Sequence, residues 1–195
     1  MSYPIITGIC LAASAGLNAY LPLLVLALAD RITDRVNLGT PYDFIASTWT
    51  ILALIVLLTI ELVADKIPGI DHANDLIQSV IRPAAGAFLM MAVINDNRSL
   101  NPVVGMIIGL LIAVAVHTIK ALSRPHITMS TGGMGNPIVS LLEDAVSGLT
   151  SVLAILVPIA ALILFTISGA FLFWSYRSVQ RLSFGRSRTR PTTQP

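Results

Sequence analysis

The feature that most constrains this chain is the placement of its charges. Residues 1–29 carry none, and neither do residues 44–60, 83–95, 99–116 or 145–176. About 20 apolar helical residues cross a hydrocarbon core of roughly 30 Å, and these runs approach or exceed that length. Only 11% of the 195 residues are charged, against about 25% in a soluble domain. A soluble enzyme, a nucleic-acid-binding domain and a disulfide scaffold are all excluded on this ground. The apolar runs are continuous, whereas the strands of a membrane barrel alternate over about 10 residues. In lipid the backbone must pair within itself. The expected fold is therefore all-α, a polytopic helical membrane protein.

Five spans are expected, at residues 4–29, 44–63, 83–94, 102–122 and 149–174. Pro158 interrupts the last run; a sharp break there makes residues 137–157 a span of their own and gives six. Residues 1–176 read as one transmembrane domain and residues 177–195 as a disordered basic tail. The tail holds Arg177, Arg181, Arg186, Arg188 and Arg190 with no acid. Lys and Arg mark the cytoplasmic side, so the C-terminus is expected in the cytoplasm of an inner-membrane protein. The tail is expected to touch anionic lipid headgroups; it lacks the aromatic interleaving of a nucleic-acid binder. Trp49, Trp174 and Tyr176 lie near span ends, as interfacial belts do. Residues 4–29 lack the basic start of a cleaved signal and exceed its apolar length. The lone Cys10 cannot form an intrachain disulfide.

Residues 44–95 and 100–174 share a plan that suggests an internal repeat. Each has a span, a charged helix end, a proline, a loop, an amphipathic stretch and a further span. In the first amphipathic stretch Asp71, Asn74, Asp75, Gln78 and Arg82 fall on one helical stripe, and in the second Ser140, Glu143, Asp144 and Ser147 do. Such helices lie in the headgroups or re-enter the membrane to line a wet cavity.

Ionisable groups inside a membrane mark pathways and relays. The expected pathway residues are Asn18, Glu61, Asp65, Asp75, Gln78, Arg82, His117, Lys120, Glu143 and Asp144. Glu61 and Asp65 form an acidic stripe on the second span end. His117, Lys120 and Arg124 form a basic one on the fourth, so the two stripes are placed to pair. Lys66 is positioned to offset the acids, and Lys66 and Arg124 are expected to snorkel. Glu61 or His117 is the expected handler of a coupling proton, His117 because imidazole titrates near neutrality. Asn18 stands four residues before Pro22, which removes a backbone donor and breaks the first helix beside a polar side chain. Gly133, Gly135 and Asn136 open a helix and are candidates to present amides to an anion. Asp71, His72 and Asp75 are candidate metal ligands, with Glu143, Asp144 and His126 in support. No His-Glu-x-x-His, phosphate loop or nucleophile elbow is present, and no cofactor is expected.

The runs Gly16-Leu-Asn18-Ala-Tyr20-Leu-Pro22, Glu61-Leu-Val-Ala-Asp65-Lys66-Ile-Pro68, Asp71-His72 to Arg82-Pro83, and Gly135-Asn136-Pro137 with Glu143-Asp144 give the chain a resemblance. It resembles a bacterial multi-pass membrane family, domain of unknown function 4126, over residues 8–160. The resemblance implies a prokaryotic inner-membrane protein and lends no activity. From the residues the expected function is a small transporter or channel-like carrier for a polar or ionic solute, acting as a homo-oligomer. The alternatives are a membrane-surface enzyme acting on a lipid headgroup with a divalent metal, and a non-catalytic subunit or assembly factor.

Overall fold

The computed structural model describes residues 3–65, 67, 70–95 and 100–170. Its elements are helical: α1 (Pro4–Leu17), α2 (Tyr20–Ile32), a 3-10 turn (Tyr42–Ala46), α3 (Thr48–Ala64), α4 (Ile70–Asn95), α5 (Pro102–Thr131) and α6 (Asn136–Leu156). A further apolar helix, α7, covers Pro158–Ala170. Lys66, Pro68, Arg98, Trp174, Tyr176 and the Arg-rich tail lie outside the described residues.

The first apolar run is two helices and not a continuous one. Three hydrogen bonds set α1 against α6: Thr7 Oγ1 donates to the Ala154 carbonyl, Ser147 Oγ to the Ser14 carbonyl and Asn18 Nδ2 to Asp144 Oδ1, each at 3.0 Å. Position rises along α1 as it falls along α6, so the two are antiparallel. Past the break, Leu21 packs beside Gly148 and Arg35 reaches the Leu156 carbonyl at 3.5 Å. The chain therefore reverses at Asn18 and returns to the end of α6 from which it came. With 14 and 13 residues, each arm is about 20 Å long at 1.5 Å per residue, short of a bilayer core.

Asn18 shapes the reversal, which its bond to Asp144 holds in place. Its backbone is extended (φ −144°, ψ 124°) and its N–H closes α1 on the Ser14 carbonyl. Its Oδ1 accepts from the amides of Tyr20 at 3.1 Å and Leu21 at 3.0 Å, the bonds an N-cap side chain makes. Pro22 then sits in the first turn of α2, where a missing N–H costs nothing. The break thus precedes Pro22 and is set by the asparagine.

The amphipathic stretches are not separate re-entrant helices. Each is the first half of a longer one, because Asp71–Arg82 runs straight on into the apolar half of α4 and Ser140–Ser147 into that of α6. Both α4, from Asn74 on, and α6 are long and apolar enough to cross a membrane, as is α5. Pro83 and Pro125 are carried inside α4 and α5. Pro158 does end α6, at Leu156, which separates residues 136–156 from α7.

Small residues bring the central helices together. A Cβ on Gly86 of α4 would stand 2.8 Å from the Gly109 carbonyl oxygen of α5, and one on Gly16 of α1 2.8 Å from that of Ala113. Backbones this close need glycine, and membrane helices without a hydrophobic driving force depend on such approach. Around this centre the faces are apolar and outward: Ile55, Val56 and Ile60 of α3 and Val103, Ile107 and Leu111 of α5 are exposed.

Candidate functional site

The polar residues go inward. Glu61, Asp65, Gln78, Arg82, His117, Lys120, Arg124, Glu143 and Asp144 are all buried, and Arg82 is wholly so. Four elements deliver them to one level. They are the last turn of α3, the first half of α4, the second half of α5 and the first half of α6. The Asn18 reversal of the α1–α2 hairpin meets them there.

Asp65 is the hub. Its Oδ2 accepts from Arg124 Nη2 at 3.0 Å, Lys120 Nζ at 3.2 Å and Ser140 Oγ at 3.5 Å, with Arg82 Nη2 3.8 Å away. Its Oδ1 accepts from Asn74 Nδ2 at 2.7 Å. The acidic stripe of α3 and the basic stripe of α5 are thereby paired. Besides Asp65, Lys120 donates to the Leu17 carbonyl at 2.8 Å and forms an ion pair with Glu143 Oε2 at 3.1 Å. That carbonyl belongs to the C-terminal end of α1, where the helix dipole favours a cation.

A second layer forms around Arg82. Its Nη2 holds Glu61 Oε1 at 3.0 Å, and its Nη1 faces Asp75 at 3.7 Å and His117 Nδ1 at 3.0 Å. A guanidinium can only donate, so Nδ1 of His117 is the acceptor and the ring proton sits on Nε2. A neutral imidazole facing Arg82, with Lys120 and Arg124 beside it, is an anchor for the arginine.

Other expectations change with the geometry. Arg124 does not snorkel; it is 3% exposed and links Asp65 to Asp75 at 3.5 Å and Glu143 at 3.6 Å. Its signal was visible in the sequence as the third member of the α5 basic stripe. Asn74, Ser140 and Tyr20 were not singled out for the site, yet Asn74 and Ser140 complete the Asp65 shell and Tyr20 lies beside Gln78 and Glu61. Asp75, offered as a metal ligand, faces two guanidiniums instead. Asp71 and His72 lie in the first turn of α4, with side chains outside the described residues. Among the described residues no three His, Cys, Asp or Glu are grouped to hold a metal. His126 is exposed and bonds its own helix at Leu122. The amides of Gly133, Gly135 and Asn136 are spent on Thr128, Thr131 and Gly133, so they close the α5–α6 turn and do not cradle an anion. Gly132 and Gly133 adopt positive φ there, which suits glycine.

Apolar side chains outside and a hydrogen-bonded ion-pair network inside define a helical integral membrane protein. The chain belongs to the family described as Domain of unknown function (DUF4126), whose model matches residues 5–178. No curated protein and no solved structure matches it.

Proposed function

We propose that this protein is a small membrane carrier or channel-like transporter for a polar or ionic solute, with the buried charge cluster as its pathway. One observation carries the reading. Ion pairs in a low-dielectric interior rarely repay their desolvation, so eight ionisable side chains gathered between five helices point to a use beyond stability. Among the described residues, Glu61, Asp65, Asp75 and Glu143 share the cations Arg82, Lys120 and Arg124.

The α1–α2 hairpin is a re-entrant element entering from one side, and α3 to α6 cross around it. Interrupted helices with polar tips near the midplane are a recurring way to build transport sites. The bundle is small for a complete pathway, which supports a homo-oligomer. The five tail arginines favour an inner membrane with the C-terminus in the cytoplasm. The similar plans of residues 44–95 and 100–174 support a repeat, each unit pairing an acid with a base internally: Glu61 with Arg82, and Glu143 with Lys120.

The test is flux into proteoliposomes, using rubidium and methylammonium as probe cations and an internal pH dye. Uptake above that of empty vesicles, reduced at least tenfold in the Glu61→Gln, Glu143→Gln double variant, supports the reading. No uptake of any probe, or uptake equal in the double variant, sinks it.

A further inference from the structure

We infer that Glu61 is held as a neutral acid, with its proton on Oε2 donated toward the side-chain carbonyl of Gln78. The inference rests on three observations at the α3–α4 contact. Glu61 is 1% exposed and Gln78 2% exposed. Glu61 Oε2 and Gln78 Oε1 are both buried acceptors with no hydrogen-bond donor. Both side chains lie beside Tyr20 and Arg82: Glu61 Oε1 is bonded to Arg82, Tyr20 borders both, and Gln78 precedes Arg82 by one helical turn.

A buried acceptor left without a donor costs about 1–3 kcal/mol, more when it is charged. One proton on Oε2 supplies the donor that both oxygens lack, and it leaves Oε1 free to go on accepting from Arg82. An alkali ion fits less well, because hard cations need several oxygens and the Arg82 guanidinium already stands 3.0 Å from this carboxyl. The neighbouring charges allow it. From α4 Glu61 faces Arg82, with Asp75 and His117 also on that arginine; from α5 it faces Lys120, from α2 Tyr20, and at its own helix end Asp65. Arg82 is shared with Asp75 and Asp65, so it keeps counter-charge when Glu61 is neutral.

This assigns an exchangeable proton to the pathway proposed above and rests on that reading only for its use. The proton is read without transport, by infrared spectroscopy of the purified full chain in detergent at neutral pH. The expected result is a protonated-carboxyl C=O band that shifts in heavy water. It is lost in Glu61→Gln and retained in Glu143→Gln and Asp144→Asn. In Gln78→Leu, which leaves every carboxyl in place, the band moves to higher frequency as its hydrogen bond is removed. The assignment is overturned if the wild type has no such band, if the band survives Glu61→Gln, or if it vanishes in Asp144→Asn alone. An unmoved band in Gln78→Leu overturns the Gln78 partnership. Absent flux with the band present fails the transporter reading alone; flux without the band fails the proton alone.

Discussion

At the scale of single residues, Asp65 and Asn18 do the most with the least. Asp65 is the shared counter-ion of Lys120 and Arg124, both buried. Replacing it by Asn removes the carboxylate that both cations share and leaves them to Glu143, with Asp75 beside Arg124. Removing one member of a buried pair costs about 3–5 kcal/mol. Asp65→Asn is therefore expected to collapse the yield of folded protein and its thermal midpoint in detergent. Asp75→Asn is expected to cost about 1 kcal/mol, because Asp75 is partly exposed and its guanidinium partners stand at 3.5 and 3.7 Å, nearer the regime of surface pairs. Equal effects of the two variants would contradict the hub. Asn18 caps α2 and binds Asp144 with the two ends of one amide. Asn18→Ala is expected to lose about 1 kcal/mol from the cap. A double-mutant cycle with Asp144→Ala isolates the amide–carboxylate bond, expected at about 1.5–3 kcal/mol for a charged partner.

At the scale of elements, two features follow from local chemistry. The α4–α5 crossing is a contact of backbones at Gly86 and Gly109. A Cβ on Gly86 would meet both the Gly109 carbonyl and the Ala113 side chain, and neither can move without parting the helices. Gly86→Ala is expected to destabilise by about 1–3 kcal/mol, the usual cost of overpacking, read as a lower midpoint in thermal unfolding. Gly132→Ala, by contrast, meets open space and strains only its left-handed backbone (φ 62°). The α1–α2 hairpin makes a sharper prediction about sidedness. In a Cys10→Ala background, Tyr3→Cys and Asp34→Cys are both exposed positions at the same end of the hairpin. An impermeant maleimide is expected to label both from the same side. Labelling from opposite sides would restore a single first span.

At the scale of the whole molecule, the arrangement is polar inside and apolar outside. The same maleimide experiment with Gly132→Cys is expected to label from the side opposite Tyr3, because α6 is long enough to cross a membrane and the two positions lie at its opposite ends. That result also fixes which compartment faces the cluster.

Charge-free runs determined the class of this protein, because apolar length and absent charge are set residue by residue and need no partner. The stripes at helical spacing were likewise legible. Glu61 with Asp65, and Lys120 with Arg124, could be placed on opposing helix ends from periodicity alone. What needed the tertiary structure was direction and partnership. Nothing local distinguishes an Asn18 that caps a reversed helix from one inside a straight span, since the reversal is held by Asp144, 126 positions away. Arg124 reads as a snorkelling residue until Asp65, 59 positions earlier, is seen to bury it. His117 meets Arg82, 35 positions earlier, only in the folded bundle. Spacing along a chain fixes which face a side chain occupies; the charge it meets there is decided by how helices distant in sequence are packed.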